Sequence, residues 1–273
     1  MSSYTGTTIF AIVVNLNAGG FLGLCIDRIR KSTPAVELIV VDNHSKDISK
    51  VWALGCNSRQ SEKYIQNDRN LGFAAAVNIG ASVASGDVLV VINPDCLVWP
   101  HTIERLCRLL RDQQGVGLVG GLVFGIHGSE QAGCRRYDVT PIRSIGKMLG
   151  KLFPLKNLPT IDMTNEPIPQ NSIDVDAVSG SFFAVRKSLY NESGGLDEDY
   201  FLHFEDLDLC RRVREAGYRV VFNPDVSVIH VGAVSSGVKS VEIVSKVVSK
   251  LFETKETHVL SQTNVWNLCC DLG

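Results

Sequence analysis

No apolar run in this 273-residue sequence reaches the roughly 18 to 20 residues needed to span a bilayer. The nearest candidate, Gly115 to Gly128, is Gly-rich and too short. Charge of one sign is not in excess. Lys plus Arg is 27 and Asp plus Glu is 29, a formal net charge of −2. A general nucleic-acid binder needs a basic surplus, so that class is excluded. The eight cysteines include no C-x-x-C and no zinc-finger spacing with His, which removes dithiol redox motifs and structural zinc. Met1 to Thr8 is polar and lacks a positive segment followed by an apolar one, so no signal peptide is read. The chain is expected to be cytoplasmic, with reduced thiols buried as small hydrophobes and Cys269-Cys270 on an exposed tail.

What is present is ordinary globular material. Hydrophobic residues make up 45% and charged residues 21%, which excludes wholesale disorder. The length fits one large α/β domain or two small ones. Mean hydropathy is +0.10, which fits either a generous core or contact with a membrane surface. The first half alternates continuous apolar runs with helical spacing. Strands are expected at Ile9–Leu16, Glu37–Val41, Tyr64–Gln66 and Val88–Ile92. Helices are expected at Phe21–Lys31, Ala74–Ala84 and Thr102–Asp112. Repeated βα units imply an open parallel sheet, which places ligands beyond the carboxyl ends of its strands. The second half adds a Gly-rich strand over Val116–Phe124 and a strand over Val175–Arg186 kinked at Ser-Gly-Ser. It also adds a helix over Phe204–Ala216 stopped by Gly217, a strand over Arg219–Phe222 and an amphipathic stretch over Ser236–Phe252. Between them, 135–170 is rich in Arg, Lys and Pro and reads as a basic flap.

Several motifs could carry chemistry. Gly115-Val116-Gly117-Leu118-Val119-Gly120 has the dinucleotide spacing, but it follows a helix and leads into a strand. The fingerprint needs the reverse, so tight backbone packing is the better reading. Asp42 follows the second strand, where a carboxylate can accept from a nucleobase N–H or simply cap a turn. Asn93-Pro94-Asp95 follows the fourth strand. Its oxygens suit a hard cation on phosphate, or an ordinary turn. Glu205, Asp206 and Asp208 share one helical turn at a helix N-terminus. Asp208 has Arg212 at i+4 and reads as a structural ion pair. Glu205 and Asp206 have Leu209 and Cys210 at that spacing, so neither has a local cation, as a general base requires. Helix capping is the bland alternative. His230 ends an apolar run and is either a ligand or structural.

Taken in order, these pieces resemble the family 2 inverting glycosyltransferases of GT-A fold. They are VVNLN ending at Asn17, VVDNHS around Asp42, DRNLGFAAAVNIG from Asp68 and NPD at 93–95. VSGSFFAVR from Val178, GGLDEDYFLHFEDLDLCRRVREAGYRV from Gly194 and His230 complete the set. The Asn-Leu-Gly-Phe and Glu-Asp-x-Asp-Leu-Cys-x-Arg segments are most similar to the rhamnosyltransferase branch, with some hexosyl- and galactofuranosyl-transferases sharing them.

The resemblance implies a Rossmann-like, mostly parallel sheet with a smaller mixed acceptor-side sheet. One catalytic domain would occupy 1–235. A nucleotide-sugar half would cover about 1–112 and an acceptor half 113–235, followed by a C-terminal helix and tail at 236–273. It implies transfer from a nucleotide-diphosphate sugar, dTDP-L-rhamnose first, to an acceptor hydroxyl in cell-surface glycan assembly. The implied donor pocket is Asn17, Asp42, Asn43, Asn70, Gly72, Asn78, Asn93 and Asp95. Mg²⁺ or Mn²⁺ would sit on Asp95 and His230, and Asn93 stands where many relatives carry Asp. Asp206 would be the base, with Glu205 beside it. The implied partners are a glycan or lipid-linked acceptor, an anionic membrane surface at the inner face of the cell membrane, and a second copy in a homodimer. Arg143, Lys147 and Lys151, with Met148, Leu149, Leu152 and Phe153 among them, would form the membrane-facing edge. Two other readings stand beside this one. A nucleotidyltransferase would want a cationic Gly-rich loop after the first strand, and Asn17-Ala18-Gly19-Gly20 has no cation. A non-catalytic sugar-nucleotide module would not need both Asp95 and Asp206.

Overall fold

The run Ile9–Leu16 alternates nothing, and a strand with no polar face must be covered on both sides. The computed structural model, which describes residues 8–32, 36–55, 60–140, 143 and 160–232, puts it in the interior as β1 (Ile9–Asn15), every residue buried. There follow α1 (Phe21–Ser32), β2 (Glu37–Asp42), α2 (Ser49–Leu54), β3 (Glu62–Gln66), α3 (Phe73–Val83) and β4 (Val88–Ile92). Then come β5 (Cys96–Val98), α4 (Thr102–Asp112), β6 (Val116–Phe124), β7 (Arg135–Arg136), β8 (Ile173–Asp174) and β9 (Ala177–Val178). The described part closes with β10 (Phe182–Arg186), α5 (Lys187–Glu192), α6 (Glu205–Glu215) and β11 (Arg219–His230).

Nine strands form one sheet in the order β3-β2-β1-β4-β10-β6-β11-β5, with β8 on β11. β1 to β4 are mutually parallel, whereas β10 runs antiparallel to both β4 and β6. Sheet order reverses between β1 and β4, and such a switch opens a crevice at the carboxyl ends of the strands. β7 and β9 form a separate two-stranded antiparallel ribbon. This is the mostly parallel sheet with a smaller second sheet that the sequence implied. Burying each large aliphatic side chain of this core contributes about 1.5–3 kcal/mol, which fixes the strand order and hence the crevice.

The Gly-rich β6 explains the dinucleotide-like spacing. A Cβ at Gly117 would lie 2.5 Å from Leu189, and one at Gly120 would lie 2.5 Å from Val178. These glycines let neighbouring side chains close onto the strand. At the end of α6, Gly217 at φ +85° donates to the Arg214 carbonyl and Tyr218 to that of Val213, a Schellman stop.

Some expectations need correction. The strand expected over Val175–Arg186 is two strands, β9 and β10, separated by Ser179-Gly180-Ser181. β11 runs on to His230 instead of ending at Phe222. Pro224 sits where its register shifts, between Asn223 and Ser227, and this breaks the apolar pattern. α2 was not expected because its pattern is inverted: Ile48, Val51, Trp52 and Leu54 are exposed while Ser49 and Ala53 are buried. Arg135 and Arg136 do not belong to a solvated basic flap. Arg135 is 1% exposed and pairs with Glu130, and Arg136 pairs with Asp206. Lys147, Lys151 and the stretch Ser236–Phe252 lie outside the described residues.

Candidate active site

Parallel strands end in polar residues only where the chain can afford to leave the core. β1 and β2 finish in register at Asn15 and Asp42. Both are fully buried, and Asn15 Nδ2 donates to Asp42 Oδ2 at 2.7 Å. Asp42 Oδ1 accepts the Ser45 N–H at 2.7 Å. The turn reading of Asp42 is therefore realised, with both carboxylate oxygens engaged by the protein. Asn17 is exposed, in the left-handed region at φ 52°, and its side chain caps Lys46. Asn43 donates to the Gly72 carbonyl at 2.9 Å and accepts from Asn67 at 2.8 Å. Asn70 is exposed and accepts the Gly72 N–H at 3.0 Å. Asn17, Asp42, Asn43, Asn70 and Gly72 thus gather at one edge of the sheet. Asn78 does not join them. It donates to the Leu196 carbonyl and Glu198 and accepts from Tyr190 and the Leu196 N–H, which spends all four of its hydrogen-bonding positions.

After β4, Asn93-Pro94-Asp95 turns the chain toward the end of β11. Asp95 is buried, and its Oδ1 lies 3.1 Å from His230 Nε2. Gln131 Oε1 sits 2.6 Å from His230 Nδ1. A carboxamide oxygen can only accept, so an Nδ1–H is placed to donate to Gln131, while the protonation of Nε2 decides whether it donates to Asp95 or offers it a lone pair. A protonated ring donates Nε2–H to Asp95 as an ion pair, and a neutral ring leaves two acceptors that a shared cation can bridge. Asn93 Nδ2 is 3.4 Å from the same Nε2. Cys96 Sγ is also within 4.8 Å of these ligand atoms. Its thiol donates to the Ser181 carbonyl, and burial pushes it well above its usual range. The usable donors are one carboxylate and one imidazole, since Asn93 turns its amide nitrogen to the ring. Such a set fits Mn²⁺ or Mg²⁺ holding further oxygens from a ligand and water.

The third element is the start of α6. His203 and Phe204 both have positive φ, 70° and 75°, a costly conformation for side chains of this size. It turns the chain sharply into the helix and leaves Phe201, Leu202 and Phe204 exposed. Asp206 Oδ2 accepts from the Gly180 N–H at 2.8 Å and from Arg136, while Oδ1 accepts from the Leu207 N–H at 2.8 Å. A Cβ at Gly180 would lie 3.2 Å from that carboxylate, a close approach that glycine eases. The expectation of an unpaired Asp206 is therefore corrected: its cation comes from β7. Glu205 is the carboxylate without a cation. It is 5% exposed, and its Oε2 has no hydrogen-bond partner among the described residues. Burial, reinforced by the Asp206 charge, pushes its carboxyl up to about 7. The i+4 pair forms as expected, with Arg212 Nε donating to Asp208 at 2.8 Å. Arg136, Gly180 and Gln131 are site residues the sequence reading missed.

One turn joins the pieces. The Ser181 carbonyl accepts the Asn93 N–H at 2.9 Å, while Gly180 holds Asp206. No helix among the described residues is long and apolar enough to cross a membrane.

Comparisons with known proteins bear on the fold and the family. The chain is 28% identical over 213 residues to N-acetylglucosaminyl-diphospho-decaprenol L-rhamnosyltransferase of Mycobacterium tuberculosis, covering 74% of this chain and 68% of that one. It is 42% identical over 67 residues to rhamnosyltransferase WbbL of Escherichia coli, covering 23% and 25%. Among solved structures it resembles GalNAc-T7 with UDP, GalNAc and Mn²⁺, with a TM-score of 0.63 and 17% identity over 99% of this chain. The chain spans 55% of that structure's length. It also resembles mannosyltransferase PcManGT of Pyrobaculum calidifontis in complex with GDP-Man and Mn²⁺, with a TM-score of 0.57 and 16% identity, covering 98% and 74%. Both likenesses establish the GT-A fold. A family model described as glycosyltransferase like family 2 matches residues 7–250, and the chain belongs to that family.

Proposed function

We propose that the chain transfers a sugar from a nucleotide-diphosphate donor, dTDP-L-rhamnose first, to an acceptor hydroxyl with inversion, in the assembly of a cell-surface or lipid-linked glycan. The observation that carries this reading is the turn at Ser179–Ser181. It touches both Asn93, beside the Asp95–His230 pair, and Asp206. A group that can hold a diphosphate and a group that can take a proton are thereby fixed to one piece of backbone.

In this reading Asn17, Asp42, Asn43, Asn70 and Gly72 form the donor end of the crevice, and Asn78 has a structural role. Asp95 and His230, with Asn93 beside them, would hold Mn²⁺ or Mg²⁺. When bound, that ion supplies positive charge against the leaving diphosphate. Asp206 takes the proton as the acceptor oxygen attacks the anomeric carbon, because a hydroxyl is a poor nucleophile until a base withdraws that proton. The new C–O bond forms on the face opposite the breaking one, whose electron pair leaves with the diphosphate. Glu205 is buried behind Asp206 and sets the field around it without touching the acceptor. The exposed Phe201, Leu202 and Phe204 stand at the mouth where an acceptor enters.

The rhamnose preference draws on the printed name of the Mycobacterium tuberculosis relative. The membrane contact rests on Lys147 and Lys151. Arg143 itself lies 4.2 Å over the Tyr137 ring and 3.8 Å from Asp176. Sedimentation with anionic vesicles reads that contact, and light scattering reads the homodimer.

The test is release of nucleoside diphosphate from dTDP-L-rhamnose, UDP-galactofuranose, UDP-glucose and UDP-N-acetylglucosamine with Mn²⁺, followed by the anomeric configuration of the product. A preference for dTDP-L-rhamnose with inversion is expected. Preference for a UDP-sugar replaces the donor, retention replaces the mechanism, and no release from any donor leaves a binding module.

A further inference from the structure

Arg136 reaches Asp206 from β7, on a different sheet and 70 residues away. Its neighbour Arg135 points to the opposite face of the same short strand. There Arg135 is buried, donating to both oxygens of Glu130 at 2.8 and 3.1 Å and to the Glu166 carbonyl at 2.5 Å. The ribbon is thus anchored in the core through one arginine, and the other is presented to the base. Arg136 also donates to the Val178 carbonyl at 2.6 Å, across the β7–β9 pairing. Both bonds leave from the same Nη2, which ties Asp206 to the β9 backbone.

The consequence lies in how the two carboxylate oxygens are used. Oδ2 receives Arg136 and the Gly180 N–H, which fills both of its lone-pair directions. Among the described residues Oδ1 receives only the Leu207 N–H, so one direction remains open. We infer that Arg136 is a positioning residue that locks the Asp206 carboxylate so that Oδ1 alone is presented to the acceptor hydroxyl. On attack, the acceptor O–H bond breaks and its proton passes to Oδ1. The acceptor oxygen bonds to the anomeric carbon, and the carbon–phosphate-oxygen pair departs with the diphosphate. The inference rests on the reading of Asp206 as the base.

Two features favour this role over plain structural support. Arg136 Nε is buried with no hydrogen-bond partner among the described residues, so the side chain is not placed to satisfy its own fork. Gly180 brings the second donor to the same oxygen, and a Cβ there would crowd the carboxylate at 3.2 Å. A bidentate grip on both oxygens would bury the base, whereas this one-oxygen grip leaves the other free.

The test pairs crystal structures of the unaltered chain and of R136A with the kinetics of R136A, R136K and D206N, using whichever of the four sugar nucleotides is turned over. In R136A the Asp206 carboxylate is expected to leave the Gly180 N–H or to occupy more than one rotamer. Its kcat should fall about 10- to 100-fold with donor KM within about threefold, since only the orientation of the reacting group is lost. Added guanidinium should restore part of that kcat, and R136K should lie between R136A and the unaltered chain. Should R136A fail to fold, R136K takes its place in both measurements, with smaller effects in the same direction. An Asp206 that keeps its place and its single rotamer overturns the inference. So does a loss confined to donor KM, which makes Arg136 a donor contact. An active D206N overturns the base assignment instead, and the crystal structures still decide whether Arg136 orients the carboxylate.

Discussion

Asp95 Oδ1 and His230 Nε2 lie 3.1 Å apart, bringing the turn after β4 against the end of β11. Gln131 Oε1 holds the far side of the imidazole, 2.6 Å from Nδ1. D95A and H230A are therefore expected to weaken Mn²⁺ binding at least tenfold by calorimetry. Q131L is expected to weaken it by about 10- to 100-fold through the ring's orientation. N93D adds a carboxylate and is expected to tighten binding severalfold. Unchanged affinity in D95A and H230A together moves the metal elsewhere.

Glu205 gives a pH prediction. Burial raises its carboxyl from the usual 4.5 to about 7, so the folded chain binds that proton more tightly than the unfolded one. The resulting stability is complete below about 4.5 and is lost as pH rises through about 7. Thermal melts of the unaltered chain and of E205Q should therefore diverge between pH 5 and 8. The unaltered chain should lose ground as pH rises. A gap that does not change with pH contradicts the buried, unpaired placement of Glu205.

Gly72 ties the donor end to the entrance loop. It has φ +88°, and a Cβ there would lie 2.8 Å from the Phe201 carbonyl, which also accepts the Phe73 N–H at 3.1 Å. G72A is expected to cost about 1–3 kcal/mol in urea unfolding and to lower transfer by displacing Phe201. Stability equal to that of the unaltered chain would show that the loop does not rest on this glycine.

The residues differ in how far the sequence could place them. The apolar runs of β1 and β4 can be covered only in the middle of a sheet, so their position was legible from composition alone. Asp95 and His230 were paired through the family resemblance, and the structure brings them within 3.1 Å. The partner of Asp206 was not legible. The i+4 rule looks along the helix, and Arg136 arrives from a two-residue strand with no periodicity to reveal it. Asn78 misled for a related reason, since its four partners include residues 112 and 118 positions away. α2 carries its apolar side chains outward, so its pattern pointed to nothing.

The central claim, a transferase with Asp206 as its base, is tested most directly by comparing D206N with the unaltered chain. The comparison measures product formation from dTDP-L-rhamnose together with binding of the nucleotide and Mn²⁺. Transfer in D206N should fall by about 10² to 10⁴, the usual contribution of a general base, with nucleotide and metal affinity within a few-fold of the unaltered chain. Transfer by D206N at the rate of the unaltered chain contradicts the account.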